Sequence, residues 1–199
     1  MMLMIKLKRL LTLAAAALLF FGASHEASAQ KVALKTNLAH WALMGSPNLS
    51  VEPRLADHWT VDLGASGNLW KFAEPKELRY WAVQPELRYW FCETFNGAFI
   101  GLHGHGGQYN IGAWDIPIGR LKTFKDNRYE GDFYGAGLSV GYQWILSPHW
   151  NLEASLGGGW THTNFRQYEC VTCGALRDTG KEDFFSITRA TLSLLYFFK

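Results

Sequence analysis

Beyond residue 30 the chain alternates apolar and polar positions with a period of two, and nowhere in that stretch does it string together the ~18 apolar residues of a membrane-crossing helix. Eight such runs predict eight β-strands: Lys31 to Ala39, Asn48 to Leu55, Trp59 to Trp70, Tyr80 to Phe91, Ala98 to Tyr109, Phe133 to Ile145, Asn151 to Thr163 and Phe184 to Phe198. Most exceed the ~5 to 6 residues usual in globular sheets and match the ~9 to 11 with which a tilted strand crosses a bilayer. The connections alternate in length. Ala56-Asp57-His58, Cys92 to Gly97 and Leu146 to Trp150 are short, whereas Lys71 to Arg79, Asn110 to Asp132 and Asn164 to Asp183 are long. Short turns at one end and long loops at the other predict an all-β, eight-stranded antiparallel up-and-down transmembrane β-barrel with both termini on the short-turn side.

The two faces of each predicted strand differ in chemistry. The sixth places Tyr134, Ala136, Leu138, Val140, Tyr142 and Trp144 against Gly135, Gly137, Ser139, Gly141 and Gln143. The fourth places Val83, Pro85, Leu87, Tyr89 and Phe91 against Gln84, Glu86 and Arg88, and the last separates Leu192 and Leu194 from Arg189 and Ser193. Charges keep to the polar face. Collected, that face holds Lys35, Arg54, Arg88 and Arg189 with Glu52, Asp62, Glu86 and Glu153, four of each sign, and His103 and His105 lie on it too. Charges withdrawn from water need partners, so a balanced inward set predicts a closed lumen filled by side chains, not a pore. Glycines of the sixth strand are expected to make room there for Trp90. A lipocalin-type soluble barrel would be apolar inside, the reverse of this pattern.

Aromatic residues gather near the strand ends, where ring side chains suit a membrane interface. Trp59, Tyr89, Phe91, Trp144, Trp150 and Phe198 are expected to form a periplasmic girdle, and Trp70, Tyr80, Phe133, Tyr134 and Trp160 an outer one. The first 29 residues read as an export signal: Lys6, Lys8 and Arg9, an apolar run from Leu10 to Phe21, then Ala27-Ser28-Ala29 as a cleavage site. That apolar core falls short of the ~20 residues of a spanning helix. Cleavage leaves a barrel domain from Gln30 to Lys199, with no cysteine at its start to take a lipid anchor. Lys and Arg are scattered and the formal net charge is +2, which gives no stripe for nucleic acid.

Three constellations could carry chemistry. Cys170-Val171-Thr172-Cys173 in the last long loop fits a local disulfide, a redox pair or half of a zinc site, and nothing supplies the other half. Cys92 is left over as a free thiol. His103 and His105 could hold a metal if a third ligand arrived, or hydrogen-bond within the polar lumen; the second is the simpler expectation, with no cofactor. His162 and Ser186 fall near the outer rim and could approach each other, which keeps open a rim enzyme acting on outer-membrane lipid or lipopolysaccharide. No Walker loop, H-E-x-x-H or G-x-S-x-G accompanies them.

Lys35-Thr36-Asn37-Leu38, Pro47-Asn48-Leu49, the run Trp81 to Trp90, His103 to Tyr109, Tyr129-Glu130-Gly131 and Gly141-Tyr142-Gln143-Trp144, in that order, resemble a Bacteroidota outer-membrane family catalogued as a domain of unknown function. The resemblance spans the mature chain. It implies an outer-membrane barrel with no catalytic residues to carry across, encoded near fimbrial components. The expected function is therefore non-enzymatic: a filled barrel in contact with outer-membrane lipid that assembles or anchors surface fibres through Asn110 to Asp132 and Asn164 to Asp183. A purely structural role in envelope integrity is the third reading.

Overall fold

The computed structural model describes residues 32–68, 77–112, 127–169 and 174–198. Eight strands follow one another around a closed barrel, each antiparallel to its neighbours: β1 (Val32–Asn37), β2 (Asn48–Ala56), β3 (Trp59–Asn68), β4 (Glu77–Trp90), β5 (Gly97–Gly112), β6 (Arg128–Ile145), β7 (Trp150–Tyr168) and β8 (Leu176–Phe197). β8 returns to β1 through Ala33 opposite Phe197 and Asn37 opposite Ser193, so the sheet has no edge at that level.

The first strand is shorter than its alternation predicts, because Asn37 ends it. The Asn37 side chain accepts from the backbone N–H of Ala39 at 3.1 Å and caps a helix, α1 (Leu38–Met44), which Gly45 closes in the left-handed conformation at φ 57°. The same carboxamide donates to Ala190 O at 3.3 Å and accepts from Leu192 N at 3.2 Å. It thus meets two β8 backbone groups that a longer β1 would have paired.

At the other end of the chain the strands outrun the hydropathy pattern. Much of the predicted loop Asn164 to Asp183 is ladder, with Asn164 opposite Lys181 and Gln167 opposite Asp178, and Asn110 pairs with Glu130 in the same way. Here both faces of the ribbon carry polar side chains, so the alternation fades although the backbone pairing continues. The result is a continued sheet from β4 to β8 where long loops were expected.

Large and small residues are matched across the β5–β6 ladder on the inner face. Phe99 stands opposite Gly141, His103 opposite Gly137 and His105 opposite Gly135, and a Cβ at any of these three glycines would overlap the facing ring. The β6 glycines therefore make room for β5, not for Trp90 as the alternation suggested. Trp90 packs instead on Phe99 (4.8 Å between ring centroids) and Phe95 (5.9 Å) and donates to Thr60 Oγ1 at 2.9 Å.

The turn end is sealed by apolar rings. After β4 the chain turns through Phe95 at φ 67°, a conformation that costs a non-glycine residue about 1 to 2 kcal/mol. The turn drives its phenyl inward against Trp90 and Phe197, and Asn151 Nδ2 holds its carbonyl at 3.2 Å. Full burial of a phenyl returns about 1.5 to 3 kcal/mol, enough to offset the strain. Ala33, Phe99 and Leu195 complete this plug.

Gly141→Leu should destabilise the barrel by about 1 to 3 kcal/mol, the usual cost of forcing bulk into a filled core. Urea unfolding checks this; Gly97→Ser, where a Cβ meets nothing within 4 Å, should show only the backbone cost of its positive φ.

Candidate functional site

Above the apolar plug the lumen holds an ion cluster built from six strands. Lys35 Nζ lies 2.9 Å from Glu52 Oε2, 3.1 Å from Asp62 Oδ2 and 3.0 Å from Glu153 Oε2. Arg88 spends its guanidinium on all four carboxylates: Nε on Glu86 at 2.7 Å, Nη1 on Glu52 at 2.9 Å and Glu153 at 2.8 Å, and Nη2 on Asp62 at 2.9 Å. Its planar fork makes this possible where an ammonium would not. Arg189 adds a contact to Asp62 at 2.7 Å and to Gln84 Oε1 at 3.1 Å. All seven charged residues are buried.

Arg54, the eighth charge expected here, is elsewhere. A β-bulge between Arg54 and Ala56 turns it to the mouth of the turn end, where it pairs with the exposed Asp57 and donates to Ala56 O. The cluster therefore has three cations and four carboxylates. Hydroxyls supply the remaining donors: Thr60 to Glu52 at 2.6 Å, Ser50 to Asp62 and Ser139 to Glu86. Counting charges in the sequence misses them; reading Ser and Thr on the same face as the acids would have found them.

His103 and His105 both face the lumen, their rings 6.0 Å apart, and each takes a threonine: Thr188 Oγ1 at 2.8 Å and Thr161 Oγ1 at 2.9 Å. Among the described residues no group of three metal-ligating side chains forms. His162 and Ser186 are not brought together. His162 shares the outer face with Trp160 and Asp183, with Nδ1 2.9 Å from Asp183 Oδ1, whereas Ser186 pairs with Gly159 on the opposite face. Cys92 is a free, exposed thiol. Cys170, Cys173 and Trp70 lie outside the described residues.

The outer wall carries exposed apolar side chains, Leu63, Val83, Leu102, Leu138, Val140 and Leu156 among them, between two sets of aromatics. At the turn end Trp59 meets Tyr89 at 5.1 Å and Tyr89 meets Phe91 at 5.9 Å, while Trp144 packs on Tyr142, and Trp150 and Phe198 on Tyr196. At the loop end Tyr134 and Trp160 point outward, 6.0 Å apart. Tyr80 and Phe133 do not belong with them: each sits on the lumen face, Tyr80 against His40 and Phe133 against His105 and Tyr109. Trp81, one position along, takes the outward place instead and donates to Gln108 at 3.1 Å.

The outward aromatics follow a rule. Trp81 and Phe91 on β4, Tyr134 and Trp144 on β6, and Trp160 and Trp150 on β7 are each ten positions apart. The registers run Trp81, Gln108, Asp132, Asn164 across β4 to β7, so Tyr134 and Trp160 step two and four residues toward the turn end. Four residues at ~3.3 Å over three strand spacings of ~4.8 Å correspond to a strand tilt of about 40°, the tilt that closes an eight-stranded barrel. Each aromatic set thus lies on a plane perpendicular to the barrel axis.

At the loop end His40 of α1 reaches Tyr80 Oη at 2.6 Å with the two rings stacked, and burial lowers the His40 pKa below its ordinary value. The folded protein therefore favours neutral His40, and the unfolded segment binds the extra proton. Stability from this contact is complete above the ordinary histidine pKa of about 6.5 and declines as pH falls through it. The protection factors of the α1 amides, corrected for the intrinsic exchange rate at each pH, should accordingly fall between pH 7 and pH 5, and the fall should vanish in His40→Phe.

A second expectation concerns the cluster. Arg88→Met leaves four buried carboxylates with two cations and should cost about 3 to 5 kcal/mol in urea unfolding, with partial recovery when Glu153→Gln is added.

No curated protein matches the chain at a significant level. The family model described as a protein of unknown function, DUF3575, matches residues 15–198. That span takes in all eight strands, the ion cluster and both aromatic sets, and on it the chain belongs to the DUF3575 family.

Proposed function

We propose that the chain is exported by its first 29 residues and inserts as an eight-stranded barrel in a bacterial outer membrane, where its projecting hairpins hold or help assemble surface fibres without catalysing a reaction. The observation that carries the membrane reading is the spacing of the two aromatic planes. Ten residues at ~3.3 Å, tilted by about 40°, span about 25 Å, the height of the apolar band on a transmembrane barrel. Between those planes the described wall presents leucine, valine and alanine, and the seven charges of the ion cluster are turned inward to partners. In water that arrangement would expose an apolar belt around the whole barrel. Among the described residues Ala33, Trp90, Phe95, Phe99 and Leu195 fill the lumen at the turn end, which supports a filled barrel over a conducting one.

The recognition surface on this reading is the paired upper ends of β5 to β8. Arg128 lies over the Tyr168 ring at 4.4 Å, which ties the β6 end to β7. Partner-binding residues on a rigid scaffold avoid the entropy cost of ordering a loose loop. The resemblance to a Bacteroidota family encoded near fimbrial components supports fibres as the partner. A rim enzyme has less support, since His162 and Ser186 occupy opposite faces.

The full chain should fractionate with outer membranes and run faster on gels before boiling than after. A cysteine placed at Gln167 or Asp178 should react with an impermeant maleimide on intact cells, and one at Ser147 only after permeabilisation. Loss of outer-membrane fractionation would overturn the membrane reading; replacing 165–180 by a short turn with fibres unchanged would overturn the fibre role.

A further inference from the structure

The outer wall carries a polar groove at the loop end of β4 to β7. Its lower wall is the row Trp81, Gln108, Asp132 and Asn164, and its upper wall, two residues further up each strand, is Arg79, Asn110, Glu130 and Arg166. Between them the backbone of Tyr80, Tyr109, Gly131 and Phe165 forms the floor of an open groove of about 410 Å³. The lower wall is braced by hydrogen bonds from Trp81 Nε1 to Gln108 and from Asn164 Nδ2 to Asp132 at 2.8 Å. Asn110 Oδ1 is buried in it without a hydrogen-bond partner among the described residues.

The chemistry of the two rows is that of a bound sugar flanked by anions. Arginines stand at the two ends, three strands or ~14 Å apart, where their planar forks suit phosphate oxygens. The centre holds carboxylates and carboxamides, which exchange hydrogen bonds with hydroxyls, and Trp81 offers a ring for the apolar face of a pyranose. Central Glu130 and Asp132 disfavour a phosphate in the middle and favour hydroxyls there. The volume falls in the range of small-ligand sites. Position narrows the source: the groove begins at Trp81 in the upper aromatic plane and, following the strand tilt, climbs away from it toward Arg166.

We propose that this groove seats the saccharide headgroup of an anionic glycolipid of the outer leaflet, a phosphorylated disaccharide whose acyl chains lie along the apolar wall below Trp81. The assignment rests on the membrane reading above. A headgroup held this way fixes the height of the barrel and the base of its projecting hairpins.

The test uses the full mature chain reconstituted in phosphatidylcholine vesicles that contain either an acylated, diphosphorylated glucosamine disaccharide or phosphatidylglycerol at equal anionic charge. Lipid retained on the protein is counted by native mass spectrometry, and heat-modifiable mobility reports insertion. The disaccharide lipid should be retained over phosphatidylglycerol by roughly tenfold or more, and Arg166→Glu or Asn110→Leu should each remove most of that preference while insertion is unchanged. Equal retention of both lipids, or a preference that survives both substitutions in an inserted barrel, would overturn the groove assignment and leave the membrane reading standing. Failure of the unmodified chain to insert in either vesicle would overturn both.

Discussion

Everything inside the barrel is organised around one guanidinium. Arg88 reaches Glu52, Asp62, Glu86 and Glu153 at once and lays its plane 4.4 Å from the Phe99 ring. It is thereby both the hub of the ion cluster and the joint between that cluster and the apolar plug. Withdrawing seven charges from water is costly, and a cluster of this kind holds only if every strand delivers its member at the right height. The cluster therefore acts as a register lock: a strand slipped by one residue would turn its charge to the apolar outside.

The outside obeys the complementary constraint. Because side chains alternate, a lumen reserved for charges leaves the opposite face for leucine, valine and aromatics along the whole wall. The two aromatic planes then follow from strand tilt and a ten-residue repeat. Where the repeat ends, at Trp81, Tyr134 and Trp160, the outward positions become polar and the strands continue as ribbon. The same boundary that ends the apolar band begins the groove between the Trp81 and Arg79 rows.

The glycines belong to this logic at specific places. Gly135, Gly137 and Gly141 are small because His105, His103 and Phe99 stand across the ladder from them. Moving the bulk to the neighbouring strand keeps the inner volume filled without widening the barrel. Phe95 makes the opposite trade, accepting a strained backbone so that a turn can plug the lumen it borders.

What the sequence alone determined was whatever period two can encode: eight strands, their order, the inward charges and the outward apolar band. Those are local properties, set by which face a side chain takes relative to its neighbours in the chain. Tertiary structure decided what depends on the register between strands. It removed Arg54 from the lumen through a bulge, turned Tyr80 and Phe133 inward and put Trp81 in their place, and separated His162 from Ser186 across the sheet. It also ended β1 at Asn37, whose carboxamide caps α1 locally but meets Ala190 and Leu192 only once the barrel has closed. A side chain's face can be read along one strand, but its partner across a lumen exists only after the ring is complete.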